Sequence, residues 1–380
     1  MQAKGQAVMD YDYLVIGAGI SGSAAAYELA AVGTVALIEA ESAPGYHSTG
    51  RSAALFTPNY GVATVRRINK TSQAFFLNPP AEFCDRPLLT QRGMLTVAAH
   101  GEEDLLAPIL DLSTEGYEIR KLDAAGTLSL APLLRLERIA ASAFESGVMD
   151  IDVASLHQGF LRGIRRRGGL VLCGKRITKL DRRDGFWKAS AGDFSMKGRI
   201  VVNAAGAWAG EIGGMADAKP IGLVAKRRTA IIVDGPPGLD IAKMPAVDYV
   251  AADAYIKPDA GRIMASPGDQ TPIEPQDVQP DEWDVAVLVD WLQRETLATV
   301  SHIAKRWAGL RSFVADQAPV LGYDAAAPDF FWLAGQGGYG IMMAPALGRA
   351  AADLIGSGCL PADLLANGLS ERDLSPARLA

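Results

Sequence analysis

The segment Gly17-Ala-Gly19-Ile-Ser-Gly22 spaces three glycines as G-x-G-x-x-G, and the acidic Glu39 follows 20 residues beyond the second of them. In such a pattern the first glycine permits a tight turn and the second lets backbone N–H groups approach a pyrophosphate. The third lets the following helix lie close to a sheet. The helix N-terminus stabilises the anion, and the acid accepts hydrogen bonds from ribose hydroxyls. Gly17, Gly19, Ile20, Ser21, Gly22, Glu39 and Ala40 are therefore read as dinucleotide contacts. A ligand-free glycine turn is the alternative that the glycine spacing alone leaves open. A second chemistry is offered by Arg228, in Ala225-Lys-Arg-Arg-Thr229, and by Arg311, in Gly309-Leu-Arg-Ser-Phe313. A guanidinium grips a carboxylate through two parallel hydrogen bonds. Strand alternation puts Lys226 and Arg228 on one face and Arg227 on the other. Salt bridging at a surface or between domains is the other use open to both arginines.

The glycine fingerprint requires a strand before it and a helix after it, and both are legible. Residues 13–16 form a short apolar run, residues 20–31 an Ala-rich helix ended by Gly33, and residues 35–38 a second buried strand. A right-handed strand–helix–strand crossover fits that length. Residues 44–61 are rich in Gly, Ser, Thr and His and read as a long functional loop. Helical spacing returns over 65–76, 105–112, 152–167 and 283–297, and strands are expected over 93–99, 170–172, 187–191 and 200–202. Residues 132–143 read as irregular, and alternation over 224–233 predicts a strand of a second, antiparallel sheet. Residues 330–333 then predict a buried strand, followed by Gly335-Gln-Gly-Gly-Tyr-Gly340 and a small-residue helix through 355. The predicted fold is α/β: a Rossmann-type dinucleotide-binding domain assembled from 10–85, 150–215 and 310–376. An α+β substrate domain on a mixed or antiparallel sheet, 86–149 and 216–309, is inserted into it.

Composition removes other classes. The 380 residues are 49% apolar and 21% charged, which excludes global disorder. A net charge of −6 lacks the basic excess that nucleic-acid binding uses. Cys84, Cys173 and Cys359 are far apart, and His47, His100, His157 and His302 show no metal-ligand spacing, so neither a disulfide framework nor a metal site is expected. The first ten residues lack a leader's apolar core and no apolar run is long enough to span a membrane. The expectation is a cytoplasmic protein, with peripheral membrane docking left open.

The loop His47-Ser-Thr-Gly-Arg-Ser-Ala53 and the late glycines argue for a flavin over a nicotinamide. A flavin stays bound through turnover, so more chain wraps it, and a second helix N-terminus can stabilise negative charge on the reduced ring. The expected cofactor is FAD, with His47, Ser48, Thr49, Arg51, Ser52, Ala53, Gly206, Gly337, Gly338, Tyr339, Gly340, Ile341 and Arg311 added to its contacts.

These segments, with Pro44-Gly-Tyr-His-Ser-Thr-Gly-Arg-Ser-Ala-Ala54, Leu156-His-Gln-Gly-Phe-Leu-Arg-Gly-Ile-Arg-Arg166 and Trp307-Ala-Gly-Leu-Arg-Ser-Phe-Val-Ala-Asp316, resemble the D-amino-acid-oxidase-like family of FAD-dependent amine oxidoreductases, and within it the D-arginine dehydrogenases. The resemblance runs over nearly the whole chain. It implies non-covalent FAD and hydride transfer from a D-amino acid Cα to flavin N5, giving an imino acid that water converts to a 2-oxo acid and ammonia. It also implies electron transfer to a quinone or another carrier. It gives Arg228 and Arg311 the substrate carboxylate, brings Tyr60 and Tyr255 to the substrate, and offers the Gly338 carbonyl to the amine. Two positions depart from the D-arginine pattern: Met94 stands where an acid holds the cationic end, and Leu55 where a histidine stands. Both add apolar volume, which predicts a preference for neutral, apolar D-amino acids. Oxidation of a secondary amine, such as an N-methyl amino acid or a proline-like imino acid, is the alternative. A flavin-binding protein without turnover is the third reading.

Overall fold

The computed structural model describes residues 10–379. The reading of the first residues as lacking a leader therefore lies, Asp10 apart, outside the described residues. Two large sheets organise the chain. The first runs in the order Lys179–Arg183, Phe186–Ala191, Phe194–Asn203, Asp10–Ile16, Val35–Ile38, Leu170–Leu172. Phe330–Ala334 pairs with the end of Phe194–Asn203 and with Val320–Tyr323. Its central pairings are parallel, and Leu14, Val15, Leu37 and Ile38 are buried. That explains why these strands read as unbroken apolar runs, because helices or other chain cover both faces of a parallel sheet. The helices Ile20–Leu29, Val153–Arg166 and Gly340–Ser357 share one core with this sheet.

The second sheet runs Ile303–Phe313, Val224–Val233, Arg262–Ser266, Ala252–Asp259, Ala246–Tyr249, Met94–Ala98, Ala141–Glu145, Ile119–Asp123. Its pairings are antiparallel except between Met94–Ala98 and Ala246–Tyr249, so the sheet is mixed, as expected. One face packs Ile231, Ile256 and Ala265 against Leu288 and Leu292 of the helix Glu282–Glu295. The alternate residues, among them Arg228, Tyr255 and Asp248, rise from the opposite face. A separate three-stranded sheet is formed by Leu55–Phe56, Met149–Ile151 and Leu89–Gln91. Lys257 Nζ donates to Asp150 at 2.8 Å and to the Ala53 carbonyl at 2.9 Å, and Arg92 pairs with Asp150 at 2.7 Å, joining this small sheet to the second one.

Several local expectations are corrected. Residues 132–143, read as irregular, run into the strand Ala141–Glu145, and 105–112 holds a 3₁₀ turn and one helical turn rather than a helix. Ile303–Phe313 was not anticipated: exposed Lys305 and Arg306 interrupt its apolar alternation. That strand runs straight through residue 310, where the sequence reading ends one domain and resumes the other. Among the described residues no helix is long and apolar enough to cross a membrane.

Candidate active site

The first strand ends at Ile16 and the chain turns at Gly17, whose φ of +102° suits glycine; a Cβ there would stand 2.4 Å from the Ala204 carbonyl oxygen. The helix that follows begins at Ile20 with Gly19 as its cap, which has no side chain to cap it, so the first-turn N–H groups other than that of Ile20 are left for an anion. Thr49 Oγ1 accepts the Ile20 N–H at 3.0 Å and fixes the loop against this turn. Glu39 closes the second strand; one oxygen accepts the Ala18 N–H at 2.8 Å and the other the Glu41 N–H at 2.9 Å. Each carboxylate oxygen keeps a further lone pair for a hydroxyl.

A cavity of about 390 Å³ extends from this turn to the second sheet. Gly17, Gly19, Ile20, Ser21, Glu39 and Ala40 line its first end, and His47, Ser48, Thr49, Arg51, Ser52 and Ala53 its flank. Gly206, Gly337, Gly338, Gly340 and Ile341 also contribute, as do Arg228, Tyr255 and Arg311. Gly22 is not in this wall; it sits inside the strand–helix junction, where a Cβ would meet the Gly17 carbonyl oxygen. Tyr339 is buried behind the late glycines, its ring 5.2 Å from that of Tyr60, which is 49% exposed. Leu55 and Met94 also lie outside the wall. Met94 stands opposite Ala246 and Glu145, and Leu55 opposite Asp150.

The loop is built into the second sheet. Ser48 Oγ donates to the Leu310 carbonyl at 2.6 Å, Trp307 Nε1 to the Arg51 carbonyl at 3.1 Å, and Arg51 Nη1 to the Ala308 carbonyl at 2.8 Å. Arg51 thus lines the cavity while its guanidinium serves the scaffold. Gly337 N–H donates to the Ser312 carbonyl at 2.8 Å, and its φ of +53° and the Phe313 ring, 2.4 Å from where a Cβ would stand, admit only glycine. The residue beyond, Gly338, packs on the Arg311 guanidinium.

Arg228 and Arg311 converge at this end. Arg227, one residue before Arg228, faces the other way and meets Asp284 at 2.8 Å, Asp269 at 3.3 Å and Asp281 at 3.6 Å. Arg228 donates only Nε, to the Asp269 carbonyl at 2.9 Å, and its side chain is 13% exposed. Among the described residues Arg311 has no carboxylate partner. Burial, then the nearby Arg311 charge, lowers the Arg228 pKa. Two guanidiniums that repel each other beside an open cavity call for an anion. The Tyr339 hydroxyl is pushed up to about 12 by burial and by Tyr60, against the pull of both arginines.

The sequence reading missed several groups. Trp208 lines the cavity 4.6 Å from the His47 ring, and Gln336 lines it with its Nε2 buried and unpartnered. Beyond Tyr255 the same sheet face carries Asp248, directly opposite it, and then Glu145. Burial raises Asp248 to about 6 and Glu145 to about 7; Asn59 donates to Glu145 at 3.1 Å. Only Trp208 left a sequence trace, two residues after the flagged Gly206. The others become meaningful through strand register, which one sequence does not display.

The residues fit FAD. The glycine seat, the uncapped helix start, Glu39 and the orphan Gln336 amide surround one elongated cavity. Comparison with known proteins agrees. Mitochondrial dimethylglycine dehydrogenase from Rattus norvegicus is 28% identical over 208 residues, 53% of this chain and 24% of that protein. Mitochondrial sarcosine dehydrogenase from Mus musculus is 24% identical over 250 residues, 62% of this chain and 27% of that protein. The matches thus span about a quarter of the length of these relatives. In fold, L-proline dehydrogenase from P. horikoshii superposes with a TM-score of 0.84 at 23% identity, covering 97% of each chain. Glycine oxidase from Geobacillus kaustophilus gives 0.78 at 19%, covering 91% of this chain and 94% of that one. The family model described as FAD dependent oxidoreductase matches residues 12–354, and the chain belongs to that family.

Proposed function

We propose that the chain oxidises the amine-bearing carbon of an amino carboxylate, in the first instance a D-amino acid with a neutral side chain, to the imino acid. Water then releases the 2-oxo acid and ammonia. One observation carries this reading: Arg228 and Arg311 line the cavity with their outer guanidinium nitrogens unpaired among the described residues, the nearest carboxylate oxygen to Arg228 standing 4.0 Å from its Nε, next to the late glycine turn. FAD, held non-covalently, supplies the two-electron acceptor when bound. The chain's own residues orient the substrate. The two guanidiniums fix its carboxylate, the Gly338 carbonyl accepts from its amine, and Tyr255 and Tyr60 close around it. Residues around the first sheet act as the cofactor domain and the second sheet as the substrate domain. The electrons leave to a quinone or another carrier.

Leu55 and Met94, standing where the D-arginine pattern has polar groups, support a neutral side chain over a D-arginine-type one. A second reading, oxidation of a secondary amine, is supported by the names of the relatives: dimethylglycine, sarcosine and L-proline dehydrogenases. The arginines serve it equally. Anaerobic bleaching of the flavin by D-amino acids, N-methyl amino acids and proline decides between the two. A flavin that no amine of either class reduces refutes both.

A further inference from the structure

Residues 267–281 form an irregular segment laid along the strand that carries Arg228. Arg227 N–H donates to the Thr271 carbonyl at 2.9 Å and Ile273 N–H to the Ala225 carbonyl at 3.0 Å. Further on, Asp277 takes Arg51 at 2.5 Å and the Tyr46 hydroxyl at 3.2 Å, so the segment is also fastened to the cofactor loop. Asp269, 6% exposed, pins its near end. Asp269 Oδ1 accepts the Thr229 N–H at 2.6 Å; Oδ2 accepts the Thr229 hydroxyl at 3.0 Å and Arg227 Nε at 3.3 Å.

Adjacent arginines are treated differently by this one residue. Arg227 receives the carboxylate, whereas Arg228 Nε receives only the backbone carbonyl at 2.9 Å and stays 4.0 Å from the nearest carboxylate oxygen. The carbonyl removes rotational freedom from Arg228 without neutralising it, and both outer nitrogens remain available. Arg311 pushes against Arg228, so an untied guanidinium would swing away and would have to be reordered at each binding event.

We propose that Asp269 is the positioning residue of the substrate anchor: its carboxylate locks the segment to Thr229, which sets its carbonyl on Arg228 and aims the fork into the cavity. It acts through Arg228 and does not touch substrate. The inference rests on the reading of Arg228 as the carboxylate anchor.

The test uses FAD-loaded protein and benzoate, a carboxylate that is not oxidised, with its Kd read from the perturbed flavin absorption. D269N is expected to retain its flavin and to raise the Kd at least 10-fold. In an R228M background the same substitution is expected to add nothing, since the residue acts only through that arginine. T229V removes one tie while leaving Asp269 in place; it is expected to raise the Kd about 3-fold, again only with Arg228 present, and it decides the matter if D269N does not fold. An unchanged Kd in these variants, or an equal rise in the R228M background, overturns the positioning role while leaving the anchor reading intact. An unchanged Kd in R228M itself refutes the anchor reading and this inference with it.

Discussion

Ser48 of the cofactor loop donates its hydroxyl to the Leu310 carbonyl at 2.6 Å, one residue before Arg311. Two residues after Leu310, the Ser312 carbonyl takes the N–H of Gly337 in the late glycine turn. The strand bearing Arg311, one of the two proposed carboxylate anchors, is therefore tied to both segments proposed to hold the flavin. On the proposed function, the spacing between substrate and cofactor is set by these short ties to strand carbonyls, one from a serine hydroxyl and one from a backbone N–H.

Removing either anchor is expected to weaken substrate capture far more than cofactor binding. Each charge-assisted hydrogen bond is worth about 1.5–3 kcal/mol, so R228M or R311M should lower kcat/KM on the order of 100-fold or more. Flavin content should hold in R228M. Steady-state kinetics beside the absorption ratio of flavin to protein checks this; an R228M enzyme with unaltered KM contradicts it.

Gly17 tests the cofactor seat. Alanine there puts a Cβ 2.4 Å from the Ala204 carbonyl oxygen at a φ of +102°, so G17A should purify with much less than half the wild-type flavin. Full occupancy in G17A would mean that the turn does not hold the cofactor as described.

The substrate amine must be neutral to lose hydride, so the rate of flavin reduction should climb with pH through the amine's titration range. In a panel, neutral D-amino acids are expected to exceed D-arginine. A pH-independent rate, or D-arginine as the fastest substrate, argues against the proposed chemistry or its specificity respectively.

Glu145 gives a stability prediction. Burial raises its carboxyl from 4.5 to about 7 in the folded chain, so its contribution is fully present below about pH 4 and is lost as the pH rises through about 7. Partial contact with solvent limits that loss to ~2 kcal/mol. E145Q, which keeps an acceptor for Asn59, should flatten the fall in Tm between pH 5 and pH 8. A slope equal to wild type shows that Glu145 does not titrate there.

The legible part of this molecule is the part whose chemistry is local. A glycine turn, a strand before it and an acid at the next strand end are contiguous signals, and Gly17, Gly19 and Glu39 line the cavity as that pattern requires. Alternation over Val224–Val233 likewise separates Arg228 from Arg227, and Arg227 does turn to its own carboxylates. Asp248 could not be read this way: its place opposite Tyr255 depends on which strands pair and in what register. Gly22, Leu55, Met94, Tyr60 and Tyr339 mark the opposite limit, since motif position alone did not bring them into the cavity wall.

The small sheet of Leu55–Phe56, Met149–Ile151 and Leu89–Gln91 has a consequence for rigidity. With Asp150 gripped by Lys257 and by Arg92, which also donates to the Ala242 and Met244 carbonyls, lifting the small sheet off the second sheet would rupture both partly buried ionic ties at once. The small sheet is thereby moored to the second sheet, and the backbone at Ala53, in the cofactor loop, is held in the same grip through its carbonyl on Lys257.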